Sequence, residues 1–229
     1  MEAIVLAGGF GTRLAARLNN IPKPMAPVAG RPFLEILLAH LQRNGCTRVL
    51  LSVGYLHEVI QNHFGASFRG VELEYVVEQE PLGTGGAMRA ALSQVRAESA
   101  LVLNGDTFLA ADLRALLTAH EQAQAVFTMA VAHQPEIGRY GGVVVSEDRV
   151  VGFEEKGRSG PGWINAGVYA LRRDLAWPAE LAEKFSFERD FMMPQVASLS
   201  PLAFPVQGFF LDIGIPEDLD RAQTELAKF

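Results

Sequence analysis

Cysteine is nearly absent: Cys46 is the only one in 229 residues. That excludes an intramolecular disulfide and any multi-cysteine zinc site, and it fits a reducing compartment. Long apolar runs are missing too, none approaching the roughly 20 residues that a membrane span requires. The chain opens on the strand-like run Ala3-Ile4-Val5-Leu6-Ala7 without a charged or cleavable leader ahead of it, so a cytoplasmic, unanchored protein is expected. Positive charge is scarce, with 20 Lys and Arg against 26 Asp and Glu and a formal net charge of −6. Together with the lack of any basic block, this argues against nucleic-acid binding, and any anionic ligand must be met by local cations. The five histidines, His40, His57, His63, His120 and His133, have no metal-ligand spacing with a cysteine or carboxylate pair. Ser52 and Ser186 lack the context of a hydrolase nucleophile.

What is present is enough apolar residue, 49% against 20% charged, to bury the core of one large domain, and neither repeats nor linkers divide it. Strand-like and helix-like segments alternate: Ala3–Ala7, a helix over Phe33–Asn44, Val49–Val53, a helix near Leu56–Phe64, Val71–Val77, a helix opening near Gly85, Ala100–Leu103, a helix from Asp112, then Ala125–Ala132. This rhythm predicts an α/β fold. Asp112 is the expected N-cap. From Gly141 onward short strands and turns predict a β-rich excursion, followed by a helix over Phe187–Leu199, strands at Leu202–Val206 and Phe209–Leu211, and a closing helix from Pro216 to Lys228. The expectation is a single domain over 1–229, in which an α/β part over 1–140 gives way to a β-rich part and closing helix over 141–229. Phe185, Phe187, Phe209 and Phe210 read as core rather than base-stacking residues.

After the first strand come Leu6-Ala7-Gly8-Gly9-Phe10-Gly11-Thr12-Arg13-Leu14 and, ten residues on, Lys23 between two prolines. Glycines allow backbone N–H groups to converge on an anion, while Thr12, Arg13 and Lys23 add donors and two positive charges, so the pattern suits a polyphosphate. The dinucleotide fingerprint fails because Leu14 stands at its third glycine, and a P-loop fails because Thr12 follows Gly11. A plain tight turn is the remaining alternative. Asp106 in Asn104-Gly105-Asp106 and Asp212 in Leu211-Asp212-Ile213-Gly214 each end an apolar strand, the edge where open α/β sheets bind ligands. Taken alone, either aspartate could be a turn residue; as a pair they could share Mg2+, which binds through one or two carboxylates plus substrate phosphates.

These motifs closely resemble the sugar-1-phosphate nucleotidyltransferases, whose pattern is G-G-x-G-T-R-L followed by a P-K-P lysine, and the resemblance runs from Met1 to Phe229. It implies a Rossmann-like, GT-A-like three-layer α/β/α fold with a mixed, mainly parallel central sheet. Nucleotide contacts would come from Leu6, Ala7, Gly8, Gly9, Gly11, Thr12, Arg13, Lys23, Glu78, Pro81, Gly83, Thr84, Asn104 and Gly105, and sugar-phosphate contacts from Gly142, Glu155, Lys156, Asn165, Gly167, Glu188 and Asp212. Arg13, Lys23 and Asp106 would be catalytic, with Asp106 and Asp212 as the magnesium ligands. The Glu80–Ala87 segment, Phe185-Ser186-Phe187-Glu188 and the short length are most similar to members that join GTP to a heptose 1-phosphate for a bacterial surface glycan, such as lipopolysaccharide, capsule or a surface layer. Members acting on mannose, glucose or N-acetylmuramate 1-phosphate share much of the scaffold, some using UTP or dTTP. A carboxylate at Glu78 could accept both N1–H and N2–H of guanine, whereas uracil and thymine offer one donor between two acceptors. A solvated strand-end charge is the alternative for Glu78, with Glu80 a second candidate. A homodimer is compatible with the resemblance. A nucleotide-sugar-binding regulatory subunit is the non-enzymatic alternative, against which the retained Arg13, Lys23, Asp106 and Asp212 argue.

Overall fold

The computed structural model describes residues 1–229 apart from Phe10, Thr12, Arg13, Asn19 and Asn20, with the backbone alone described at Ala15 and Ala16. Among the described residues the chain begins β1 (Glu2–Leu6), α1 (Ala15–Leu18), β2 (Pro27–Val28), β3 (Arg31–Pro32), α2 (Phe33–Arg43), β4 (Arg48–Val53), α3 (His57–Phe64), β5 (Ser67–Phe68), β6 (Val71–Val77), α4 (Gly83–Leu92) and β7 (Ser99–Asn104). It continues with β8 (Thr107–Leu109), α5 (Leu113–Gln122), β9 (Phe127–Gln134), β10 (Val143–Ser146), β11 (Arg149–Phe153) and β12 (Gly162–Arg172). The last elements are α6 (Val196–Leu199), β13 (Leu202–Val206), β14 (Phe210–Asp212) and α7 (Pro216–Glu225).

Ten strands form one mixed sheet in the order β10-β11-β13-β9-β12-β7-β1-β4-β6-β5. Pairing is parallel through β7, β1, β4 and β6 and between β13 and β9, and antiparallel on both sides of β12. The strands expected to form a β-rich excursion therefore extend the main sheet instead of standing apart from it. Alternation along the strands feeds two cores. Ala3, Val5, Val49, Leu51, Leu101 and Leu103 face α2, α5 and α7, whereas Ile4, Leu50, Ala100 and Val102 face α4 and the Phe187–Met192 turn. Strands covered on both faces read as continuous apolar runs, which is why the parallel half was plain in the sequence.

Local rules set several boundaries. Asp112 caps α5 by accepting the Ala115 N–H at 2.8 Å, a bond worth about 1 kcal/mol. Pro216 opens α7, where its missing N–H costs nothing. The single helix expected over Phe187–Leu199 is instead a π-helical turn, Phe187–Met192, separated from α6 by residues 193–195. At the end of the sheet opposite the glycine loop, the buried Arg48 guanidinium bonds Glu2 at 2.8 Å and Glu74 at 2.6 Å, tying the starts of β1 and β4 to the middle of β6.

Candidate active site

Strand β1 delivers Leu6 and Ala7 to the rim of a cavity of about 430 Å³ that also contains Gly8, Gly9, Lys23, Glu78, Pro81, Gly83, Thr84, Asn104, Gly105 and Asp106. Residues from four separate stretches of the sequence thus line one cavity. Thr12 and Arg13 lie outside the described residues, and Gly11 stands behind Lys23: its φ is +59°, and a Cβ there would meet the Lys23 Cβ at 2.9 Å. The extended Pro22 starts a short 3-10 turn, Lys23–Met25, that aims Lys23 Nζ at Asp106 Oδ2, 2.6 Å away. Gly105 allows its own close turn, since a Cβ would fall 2.5 Å from the Leu6 carbonyl oxygen, which accepts the Gly105 N–H at 2.9 Å.

Glu78 is neither free nor merely solvated. Its Oε1 accepts the Ser52 hydroxyl at 3.1 Å and its Oε2 accepts the Leu82 N–H at 3.0 Å. Each oxygen keeps a second acceptor site, so the carboxylate is held in a fixed plane beside Gly8. A side pocket continues from Gly8 and Glu78 past Gly54, Tyr55 and His57.

A second cavity, about 470 Å³, adjoins the first at Asn104 and holds Gly142, Glu155, Lys156, Asn165, Gly167, Glu188 and Asp212. All the residues assigned to the sugar phosphate from the family pattern line it. Their placement depends on an irregularity in β12, where the register against β9 shifts between Asn165 and Tyr169. Gly167 sits in that bulge with φ +67°, and a Cβ there would fall 2.6 Å from Asn104 Nδ2. Asn165 Oδ1 accepts the Gly167 N–H at 3.0 Å, and its Nδ2 donates to the Tyr169 hydroxyl at 2.7 Å and to Glu188 at 2.9 Å. Burial pushes the Glu188 carboxyl above the ordinary carboxylate value, against the pull of the Tyr169 hydroxyl and the Lys156 charge.

Asp212 reaches Asp106 because β14 pairs with β8, setting Asp212 opposite Thr107. Burial and then the charge of Asp106 raise the Asp212 carboxyl above its usual value, while Lys23 and the Gly214 N–H act the other way. Two carboxylates sharing a partly buried site with one lysine fit a divalent cation, the group that relieves their repulsion. Among the described residues no cluster of three or more His, Cys, Asp or Glu could hold a metal, so these two aspartates would need substrate oxygens to complete a coordination shell.

Arg139, Tyr140, Thr107 and Glu154 also line the second cavity, and Lys184 the first, none of them anticipated. Arg139 bonds the buried Asp218 of α7 at 2.5 Å. Its place between Gly138 and Gly141-Gly142 was the available signal. Thr107 Oγ1 is buried and lacks a hydrogen-bond partner among the described residues. No described helix is long and apolar enough to cross a membrane.

The chain resembles known proteins along its whole length. The D-glycero-alpha-D-manno-heptose 1-phosphate guanylyltransferase of Aneurinibacillus thermoaerophilus is 41% identical over 229 residues, covering 100% of each chain. A protein of the same name from Campylobacter jejuni is 43% identical over 219 residues, or 95% of this chain and 96% of its own. Among solved structures, HddC from Yersinia pseudotuberculosis complexed with GMP-PN superposes with a TM-score of 0.84 at 34% identity, covering 97% of both chains. The family model for nucleotidyl transferases matches residues 2–228, and this chain belongs to that family.

Proposed function

We propose that the protein transfers GMP from GTP to D-glycero-α-D-manno-heptose 1-phosphate, forming GDP-heptose and pyrophosphate. The observation that carries the reading is the junction of two cavities at Asn104, beside Asp106 and Asp212, because nucleotidyl transfer requires two phosphates to meet at one point. The names of the full-length relatives support GTP and the heptose phosphate in particular. Residues 1–140 would hold mainly the nucleotide and 141–229 mainly the sugar phosphate, within one domain.

A phosphate oxygen of the sugar 1-phosphate attacks the α-phosphorus of GTP in line; the new P–O bond forms as the bond to the β-phosphate bridging oxygen breaks, and pyrophosphate leaves with that electron pair. The attacking phosphate is already ionised, so no protein nucleophile or base is needed, and catalysis is positioning and charge neutralisation. The glycine loop with Arg13 and Lys23 binds the triphosphate and stabilises the leaving pyrophosphate. Glu78 accepts the guanine N1–H and N2–H. Lys156 orients the sugar phosphate, while Asn165, Glu188 and the Gly142 segment bind sugar hydroxyls. Asp106 and Asp212 would hold Mg2+, which when bound supplies Lewis-acid neutralisation of phosphate charge.

The test is pyrophosphate release with magnesium across GTP, UTP, dTTP, CTP and ATP, each paired with heptose, mannose, glucose and N-acetylmuramate 1-phosphates. GTP with the heptose phosphate is expected to give the highest kcat/KM. A preference for UTP or dTTP removes the Glu78 argument, and a preference for mannose 1-phosphate replaces the sugar.

A further inference from the structure

The Leu82-Gly83-Thr84-Gly85-Gly86 run has the look of a second phosphate loop, yet its glycines face protein. A Cβ on Gly83 would fall 2.6 Å from the Phe185 carbonyl oxygen, one on Gly85 2.1 Å from the Phe185 ring, and one on Gly86 2.4 Å from the Glu183 carbonyl oxygen. Backbone bonds run both ways across this seat: Phe185 N–H to Leu82 O at 3.0 Å and Gly85 N–H to Phe185 O at 2.9 Å. Arg89, one turn further along α4, donates to the Ala182 carbonyl at 3.1 Å and lies 5.0 Å from the Phe185 ring centre. The segment clamped in this way leads directly into the π-helical turn that carries Glu188.

Thr84 makes the last bond of the clamp. Its hydroxyl oxygen accepts the Phe187 N–H at 2.9 Å, although the residue also borders the first cavity. An N–H at the start of a helical turn has no partner inside the turn, so this side-chain acceptor fixes where the turn begins. The neighbouring residue, Glu188, then meets Asn165 at 2.9 Å and the Tyr169 hydroxyl at 3.4 Å in the second cavity.

We infer that Thr84 is a positioning residue for the sugar pocket: by anchoring the Phe187 amide it sets Glu188 against Asn165 and Tyr169, so that a motif in the nucleotide half governs recognition of the sugar 1-phosphate. This rests on the guanylyltransferase reading for its substrates. It reassigns Thr84 from nucleotide ligand to support, and explains why glycines surround it.

Thr84→Val removes the acceptor at nearly constant volume, and Thr84→Ser restores it. With Thr84→Val, KM for the heptose 1-phosphate should rise about tenfold, the factor carried by a lost hydrogen bond of roughly 1.4 kcal/mol, while GTP affinity by calorimetry stays within about twofold. Thr84→Ser should recover most of the loss. In a Glu188→Gln background the valine substitution should add little, since both act on the same contact. Amide exchange at Phe187, followed by NMR, should accelerate in Thr84→Val whichever sugar the enzyme uses, and this readout separates failure of the inference from failure of the substrate reading. Unchanged exchange at Phe187, a matching loss of GTP affinity, or full additivity with Glu188→Gln would each overturn the role. The melting temperature should fall by only about 2–6 °C, since one bond at the cavity rim is removed and the rest of the clamp remains.

Discussion

Lys23 Nζ lies 2.6 Å from Asp106 Oδ2, joining the two motifs that stand 83 residues apart in the sequence. A lysine already neutralised by an aspartate offers little net charge to a triphosphate, so a cation bound at Asp106 and Asp212 would release Lys23 toward the phosphates. Lys23→Ala and Asp106→Asn should each lower kcat/KM by about 10²–10³, the range for removing one charge-stabilising group. Pyrophosphate release measures this. Near-normal turnover by either folded variant would remove these residues from the mechanism.

Asp212 links function to a stability cost. Its carboxyl is raised by burial and by Asp106, so without metal the ionised form is disfavoured in the fold, and the protein loses stability as pH rises through the elevated value. At neutral pH and without magnesium, Asp212→Asn should therefore melt higher than the native sequence while losing most of its activity. Magnesium should raise the melting temperature of the native protein and leave Asp212→Asn unmoved. Equal magnesium shifts in both proteins would count against Asp212 as a ligand.

His40 and His120 predict an acid limit. Burial, with a smaller contribution from the nearby Arg43 or Arg172 charge, pushes each down from 6.5 to about 4. The unfolded chain then binds more protons than the fold between those values, so the stabilising contribution is complete above about pH 6.5 and is lost as pH falls toward 4, at up to ~1.4 kcal/mol per pH unit for each. Urea midpoints should decline from about pH 7 to about pH 5. Midpoints that hold steady or increase across that interval would refute it.

Gly167 is replaceable only at a cost. Alanine would have to occupy a left-handed backbone and displace Asn104, and about 1–3 kcal/mol of stability should go with it. Because the bulge positions Asn165, KM for the sugar phosphate should rise more than KM for GTP, in steady-state kinetics with each substrate varied.

Base choice is tested at Glu78. Glu78→Gln keeps the shape but presents an amide N–H2 to guanine donors, and should reduce the GTP preference by about 1–3 kcal/mol, measured as the ratio of kcat/KM for GTP to that for UTP. An unchanged ratio would return Glu78 to its bonds with Ser52 and Leu82 alone.

The parts of the site visible in the sequence were those in which chemistry and local structure coincide. Asp106 and Asp212 end apolar strands, and Lys23 sits between prolines that fix its backbone. Thr107 gave no such sign, and Arg139 only its glycine neighbours, because what they meet depends on β12 crossing between β7 and β9 and on β14 pairing with β8, contacts made at long range. The Phe187–Met192 turn was read as ordinary helix because apolar spacing does not separate a π-helical turn from an α-helical one, and the reciprocal bonds between Ser186 and the Arg189 and Asp190 positions become evident only in three dimensions. Gly83, beside Thr84, was assigned to the nucleotide since glycine marks close approach without telling what approaches.

The split between the two cavities bears on how such an enzyme could acquire a new cargo. Apart from Asn104 and Thr107, every residue lining the second cavity lies at or beyond Arg139, while the glycine loop, Lys23 and Asp106 precede it. Duplication followed by drift in the later stretch could retune the acceptor while the glycine loop, Lys23 and Asp106 stayed under constraint, and a designer could graft that stretch between relatives as a cassette provided that Asp212 and the seat against Thr84 were kept.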